Sequence, residues 1–413
     1  MLVNLGSPWR RVGLVLFAFA MATLYVWPSF KVYLAARSAA IRSYEGVQRA
    51  ALWQPDNAEY QYFAGVQSLF GQFQPDKAIA QLTNAARLNP WASQIWLALA
   101  NAYQITGDQA KERMALESAL SADPKTPGVA WSAANLYLVT GDIDRAATSF
   151  RVVIENDPSR AELAFNLLWR VRPDINFVLK AAPPLVERHL SLLNVLCTAN
   201  EPDSAKVVWD GIVTMHQTFS PVLAYPYIDF LIKTQQTDQV ARVWEQLAEM
   251  FPDHMVRRTD NLIVNGGFED GISNGGLDWR ITHGKGVKTS VDPVISNSGI
   301  RSIVIDFNGW VEDAGIQQFV PVDPGAHYSF RGFMRSENIQ TSSGPRFGIY
   351  DAYDNTEYAL SDDMLESNVW RRQELQFQAG PNTHLVIIKV VREPANSRII
   401  GKAWIDDLQL VKE

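Results

Sequence analysis

The chain has 413 residues, 47% of them apolar, with a formal net charge of −7 and one cysteine, Cys197. That length holds roughly two to four domains, and the apolar share excludes wholesale disorder. The mild acidity and the lack of a long Lys/Arg run exclude nucleic acid as the main partner. A lone cysteine excludes an intrachain disulfide or a cysteine metal cluster. Cys197 sits in an apolar helical pattern and reads as a small buried residue.

In chain order, the first element lies between Arg10-Arg11 and Lys31, where nineteen residues (VGLVLFAFAMATLYVWPSF) carry no charge. As a helix this run just crosses a hydrocarbon layer, and Tyr25 and Trp27 fall near its far end, where amphipathic rings favour the interface. A cleaved signal peptide is the competing reading, with Ser38-Ala39-Ala40 as its small-x-small site. That site lies about nine residues past the apolar run, farther than signal cleavage uses, so the geometry favours a retained anchor over 1–35. A juxtamembrane helix or linker follows over 36–55. Arg10-Arg11 place the amino end inside, whereas Lys31, Arg37 and Arg42 oppose that orientation. The expected topology is a single pass with a cytoplasmic amino terminus and the bulk of the chain outside the cytoplasm.

From Asn57 to Pro158 the sequence repeats itself. Asn89-Pro90, Asp123-Pro124 and Asp157-Pro158 recur every 34 residues, as do Gly107-Asp108 and Gly141-Asp142, Ala100 and Ala134, Tyr103 and Tyr137, Ala85 and Ala119. A period of this length predicts stacked helix-turn-helix units that share one core. Trp96, Leu99, Ala100 and Tyr103 mark one helix, which Gly107-Asp108 ends. Ala115, Ala119 and Leu120 mark its partner, which Asp123-Pro124 stops. Small residues at Ala100 and Ala119 let the two helices approach closely.

These residues resemble the tetratricopeptide repeat, in which an aromatic, a Leu-Gly or Leu-Ala pair, a Tyr, a Gly and a final Pro hold these positions. Three repeats fill 56–158. The first matches with Tyr60, Phe63, Ala64 and Gly71 but has a turn two residues longer, through Pro75. The third matches with Ala130, Ala134, Tyr137 and Gly141, its aromatic displaced to Trp131. The resemblance implies a concave face that grips a protein partner.

Over 159–252 the period fades but the helical pattern continues. Ser204–Trp209 and Gln239–Trp244 are 35 residues apart, which predicts at least two degenerate hairpins, with breaks at Pro183-Pro184 and Pro221/Pro226. Trp96, Trp209 and Trp244 read as core.

Near Asp260 apolar residues begin to alternate at period two: Ile303/Ile305/Phe307, Tyr328/Phe330, Phe347/Ile349, Leu375/Phe377, Leu408/Leu410. With turn clusters at Asn308-Gly309, Asp323-Pro324-Gly325 and Gly380-Pro381-Asn382, they predict a β-sandwich, and 260–413 is long enough for one jelly roll. Trp279, in phase with Leu277 and Ile281, is core. The opening Asn261–Glu269 and closing Trp404–Leu408, with Pro324-Gly325, Tyr328–Phe330 and Arg335 between them, resemble carbohydrate-binding modules of the galactose-binding-like jelly-roll superfamily.

Asp406 shares its strand phase with Trp404, Leu408 and Leu410, which predicts a carboxylate on the apolar face that needs a cation or dense hydrogen bonding. Glu269, expected at the end of the first strand, approaches it if the terminal strands pair. The resemblance implies a structural Ca²⁺ held by Glu269 and Asp406, and backbone amides or an arginine are the alternative.

For a glycan surface, the residues outside the core phase are Tyr350, Tyr353, Trp310 and Trp370, whose rings offer platforms to sugar C–H faces, and Asp351 and Arg335, which can bond hydroxyls. The alternative for Trp310 and Trp370 is that they cap the core.

No catalytic motif stands out. The six histidines (His189, His216, His254, His283, His327, His384) lack metal-ligand spacing, and the adjacent Asp362-Asp363 point to opposite faces of a strand. The overall expectation is a multidomain chain: an N-terminal transmembrane helix, an all-α solenoid and an all-β jelly-roll sandwich. It acts as a non-enzymatic envelope scaffold that recruits a protein and recognises a polysaccharide, in exopolysaccharide assembly or export. A structural assembly protein whose sandwich contacts protein is the first alternative, and a cryptic glycoside hydrolase with two facing carboxyls the second.

Overall fold

The computed structural model describes residues 8–41, 43–252, 255 and 261–413. Arg42, Asp253, His254 and Asp260, the expected start of the β region, lie outside the described residues. By contacts the chain divides into two compact units, Met1–Pro183 and Pro184–Glu413. The division falls inside the stretch 159–252.

The first unit is helical: α1 (Pro8–Ala40), α2 (Tyr44–Trp53), α3 (Ala58–Val66), α4 (Pro75–Leu88), α5 (Ser93–Thr106), α6 (Gln109–Ala122), α7 (Pro127–Val139), α8 (Ile143–Asn156), α9 (Pro158–Val171) and α10 (Ile175–Ala181). Helix α1 is continuous and long and apolar enough to cross a membrane, a property that signal sequences share. Its last turns, which contain Ser38-Ala39-Ala40, pack on α2, with Ala35 and Ala50 fully buried.

The repeat punctuation acts as expected. Gly107 caps α5 in the left-handed region, which glycine adopts without strain, and Asp108 then caps α6 by accepting from the Lys111 N–H. One period on, Gly141 has φ +78 and Asp142 accepts from the Arg145 N–H. The longer turn of the first repeat is absorbed by a π-helical segment, Gln67–Gly71, that prolongs α3 before the chain turns at Phe73. In Asp157-Pro158 the pair also opens a helix: Asp157 caps α9 and Pro158 is its first residue, where a missing N–H costs nothing.

Alanines fill the helix contacts. Ala64, Ala85, Ala100, Ala119 and Ala134 are fully buried, so neighbouring backbones come close enough that a longer side chain has no space.

The second unit starts with four helices, α11 (Val186–Ala199), α12 (Pro202–Met215), α13 (Tyr225–Lys233) and α14 (Thr237–Met250). Trp209 and Trp244 occupy matching places in α12 and α14, both buried, with ring partners Tyr227 at 5.5 Å and Tyr225 at 5.7 Å. Cys197 in α11 is partly buried, and burial pushes its thiol up to about 12, so it behaves as the apolar residue expected.

Ten strands follow: β1 (Arg280–Ile281), β2 (Val287–Asp292), β3 (Ser302–Gly309), β4 (Asp313–Pro321), β5 (His327–Gln340), β6 (Arg346–Asp351), β7 (Glu357–Leu360), β8 (Glu366–Gln378), β9 (Leu385–Val391) and β10 (Ile399–Lys412). They form two antiparallel sheets, β1-β4-β9-β6-β7 and β2-β3-β10-β5-β8, the jelly-roll sandwich that the alternation predicts. Ile303, Ile305, Phe307, Tyr328, Phe330, Phe347, Ile349, Phe377, Leu408 and Leu410 lie in its core, as does Trp279.

Helices α13 and α14 pack on this sandwich. Arg280 in β1 donates to Asp229 of α13 at 2.6 Å, the Gly276 N–H donates to the same carboxylate at 2.9 Å, and the Tyr353 hydroxyl donates to the Ile232 carbonyl at 3.0 Å.

Residues 261–269 depart from expectation. They run beside β10, with the Leu262 N–H on the Leu410 carbonyl and the Leu408 N–H on the Gly266 carbonyl, but they are turns and not a strand. Left-handed residues at Asn265 and Phe268 interrupt the ladder.

Replacing Ala100 with leucine should overpack the α5–α6 contact and destabilise the repeats by about 1–3 kcal/mol. Loss of helical circular dichroism at lower temperature than in the parent chain would register it. An unchanged melt would refute the close-approach account.

Candidate functional site

The six residues proposed for glycan contact do not share a groove. Tyr350 lies in β6 on the face opposite the core, yet it is only 6% exposed, because the Lys389 ammonium sits 4.4 Å above its ring. Asp351 is buried in turn chemistry: one oxygen accepts from the Tyr353 and Asp354 N–H groups, and the other accepts from the Thr383 hydroxyl. Tyr353 spends its hydroxyl on α13. Arg335 stacks on Trp404 at 5.5 Å, within the other sheet. Trp370 is half-buried on β8, the edge strand of that sheet.

Trp310 differs. It follows β3, is 69% exposed, and so does not cap the core. Beside it in sequence, Asn308 accepts a hydrogen bond from Arg398 at 2.9 Å. An open indole near an amide and a guanidinium is suited to an apolar sugar face ringed by hydroxyls.

The loops at this end are tied by a residue that the sequence does not single out. Arg392, which follows β9, is 2% exposed and has no carboxylate partner among the described residues. Its Nε donates to the Ser343 carbonyl at 2.9 Å, Nη1 to the Val311 carbonyl at 2.7 Å, and Nη2 to the Thr341 hydroxyl at 2.7 Å and the Ser397 carbonyl at 3.0 Å. The β3–β4, β5–β6 and β9–β10 connections thus share one guanidinium, whose planar fork reaches several acceptors at once. Burial lowers its pKa from the ordinary arginine range. A lone Arg after an apolar strand gives no sequence signal of this role.

The expected face of Asp406 needs correction. Ala403 and Ile405 point into the core, so Asp406 and Trp404 point the other way. A bulge with Asp407 at φ +52 then shifts the phase and returns Leu408 and Leu410 to the core. Asp406 is nevertheless fully buried, beneath the loop before β3. Its Oδ2 accepts from the Asn297 and Ser298 N–H groups at 2.7 and 3.2 Å, and its Oδ1 accepts from the Asp407 N–H. The same loop serves Glu269, whose Oε1 accepts from the Ile300 and Arg301 N–H groups. Between them Gly299 holds φ +57 and presses on the Glu269 carboxylate, where a side chain would collide.

Five N–H groups therefore supply the hydrogen bonding that was the alternative to calcium at these two carboxylates. Among the described residues no group of three or more His, Cys, Asp or Glu side chains is arranged to hold a metal ion. The donors around these two carboxylates are N–H groups, so this arrangement does not fit a cation.

Two predictions follow the chemistry of these loops. Arg392→Met strips donors from two buried carbonyls and a partly buried one and should lower sandwich stability by about 3 kcal/mol or more, read as a drop in urea midpoint. Burial raises the Asp406 carboxyl to about 6 despite its N–H partners. Its folded pKa thus exceeds the unfolded one, so its stabilisation is full below pH ~4 and is lost as pH rises through about 6. The loss is on the order of 3 kcal/mol. The melting temperature should fall from pH 4 to 7 more steeply in the parent than in Asp406→Asn, and parallel profiles would contradict this.

Compared with known proteins, residues 63–127 match the tetratricopeptide repeat family. No curated protein matches the chain. A solved structure described as "CBM4 structure and function" is 15% identical, covering 37% of this chain and 99% of its own, with a TM-score of 0.30. The CBM22-1 xylan-binding domain of Xyn10C from Paenibacillus barcinonensis is 14% identical over 38% of this chain and 97% of its own, with a TM-score of 0.27. YrrB, described as a tetratricopeptide repeat protein with an unusual peptide-binding site, is 12% identical over 51% of this chain and 95% of its own, with a TM-score of 0.27. Residues 63–127 thus match the tetratricopeptide repeat family, and the C-terminal residues fold as a two-sheet antiparallel β-sandwich.

Proposed function

We propose that the chain is a non-enzymatic scaffold of the cell envelope, held at a membrane by α1. Its repeats recruit a protein partner, and its sandwich binds a glycan at the Trp310 end. The observation that carries the glycan part is the open indole of Trp310 on loops fixed by Arg392. A fixed platform costs little ordering on binding, which favours weak, repeated sugar contacts. The repeat match over 63–127 supports the protein-binding part. The amino terminus lies in the cytoplasm and the bulk of the chain outside it, in a setting that suits exopolysaccharide assembly or export.

A second reading has its own support. The sandwich already serves as a packing partner for α13 and α14, through Arg280, Gly276 and Tyr353. A sandwich that packs on helices here can do so on another protein, which makes the chain a structural assembly factor.

The two separate in a binding assay with the full chain in detergent, on a glycan array with and without Ca²⁺. The glycan reading predicts binding that Trp310→Ala weakens roughly tenfold, the worth of one aromatic contact, without changing the melting temperature. Absence of binding in both buffers rejects the glycan reading and leaves the assembly reading.

A further inference from the structure

The repeat unit has two edges, one at each set of turns, and its contacts fix which edge is nearer the apolar part of α1. Helix α2 folds back along the end of α1, with Gly46 close against the Ser38 carbonyl. From Tyr44 to Trp53 it descends nine residues, about 13 Å at 1.5 Å per residue. The same distance back along α1 from Ala40 reaches Lys31, the first charge after the uncharged run. Leu52 and Trp53 are therefore level with the end of that run.

The next turn lies on the same edge. Asn84, near the end of α4, donates to the Pro55 carbonyl, and Ala85, Ala86 and Ile95 pack with Ala58, Tyr62, Ala92 and Trp96. The opposite ends meet elsewhere: Lys77, at the start of α4, donates to the Tyr44 hydroxyl. The α2–α3 and α4–α5 turns thus share one edge, and the α3–α4 turn with Phe73 belongs to the other.

The near edge carries apolar side chains that its own fold leaves uncovered. Leu52 is 80% exposed and Trp91, in the α4–α5 turn, 79%. Next to Trp91 a cavity of about 410 Å³ is lined by Pro90, Trp96, Met114 and Ser121. Along α1, Trp27 at the same end of the span is exposed too, with the Lys31 ammonium 5.6 Å from its ring. Indoles and a snorkelling lysine are what the layer between hydrocarbon and water accommodates.

We propose that this edge of the repeats lies on the lipid surface, with Leu52, Trp53 and Trp91 in its interfacial layer. The inference rests on α1 being a retained membrane span. Because α1 continues without a break into its packing on α2, the repeats are then held against the bilayer in one orientation and not on a loose tether.

Single cysteines at the two edges test this in the full chain. Leu52→Cys, Trp91→Cys and, on the far edge, Phe73→Cys are each made with Cys197→Ser, labelled with bimane and placed in phosphatidylcholine vesicles containing a headgroup spin-labelled lipid. Quenching at least twofold stronger at 52 and 91 than at 73 is expected. Equal or reversed quenching, in chains that stay on the vesicles through alkaline carbonate, overturns the inference and leaves the anchor standing. Release by carbonate overturns the anchor, and the inference with it.

Discussion

Close contact between helices that have no core of their own is the constraint on which the first unit depends. Each hairpin can bury its apolar stripe only against its neighbours, and Ala85, Ala100, Ala119 and Ala134 set the distance at which that happens. The same kind of contact reaches α1, whose packing on α2 leaves Ala35 and Ala50 fully buried. The apolar rod and the stack of hairpins are thereby one continuous piece.

In the second unit polar groups play the comparable part. Two loop systems are held by charged side chains: the buried Arg392 gathers three connections at one end, and the buried Asp406 with the exposed Glu269 gathers the loop 297–301 through its N–H groups. In both cases an ionised group is compensated by backbone dipoles and not by an opposite charge, which makes these places sensitive to substitution but silent in composition. The packing of α13 and α14 on the sandwich adds a third polar joint through Asp229 and Arg280. The loops that Arg392 ties lie beside an open Trp310.

Much of the architecture was legible because it is periodic. The 34-residue recurrence located the repeats, their glycine caps and their buried alanines, and period-two alternation found the core positions of the strands. The failures are local departures from a period. Asp406 was assigned to the apolar face by counting in twos, and a single extra residue at Asp407 reversed the count. Residues 261–269 have strand-like composition but left-handed turns at Asn265 and Phe268. Site residues were less legible: Tyr350 was placed on the outer face, but only coordinates reveal that Lys389 covers it, and Tyr353 meets a helix more than 100 residues away in sequence. Arg392 had no signal at all, since its partners come from three distant loops.

The central claim is that two binding modules share one anchored chain, with the sugar-facing surface at the Trp310 end. Hydrogen–deuterium exchange of the vesicle-bound chain, with and without an acidic or neutral polysaccharide, tests it most directly. The account predicts new protection confined to residues 308–312, 341–345 and 392–398. Protection centred on the Tyr350 face or on the repeats, or none at any concentration, would contradict it.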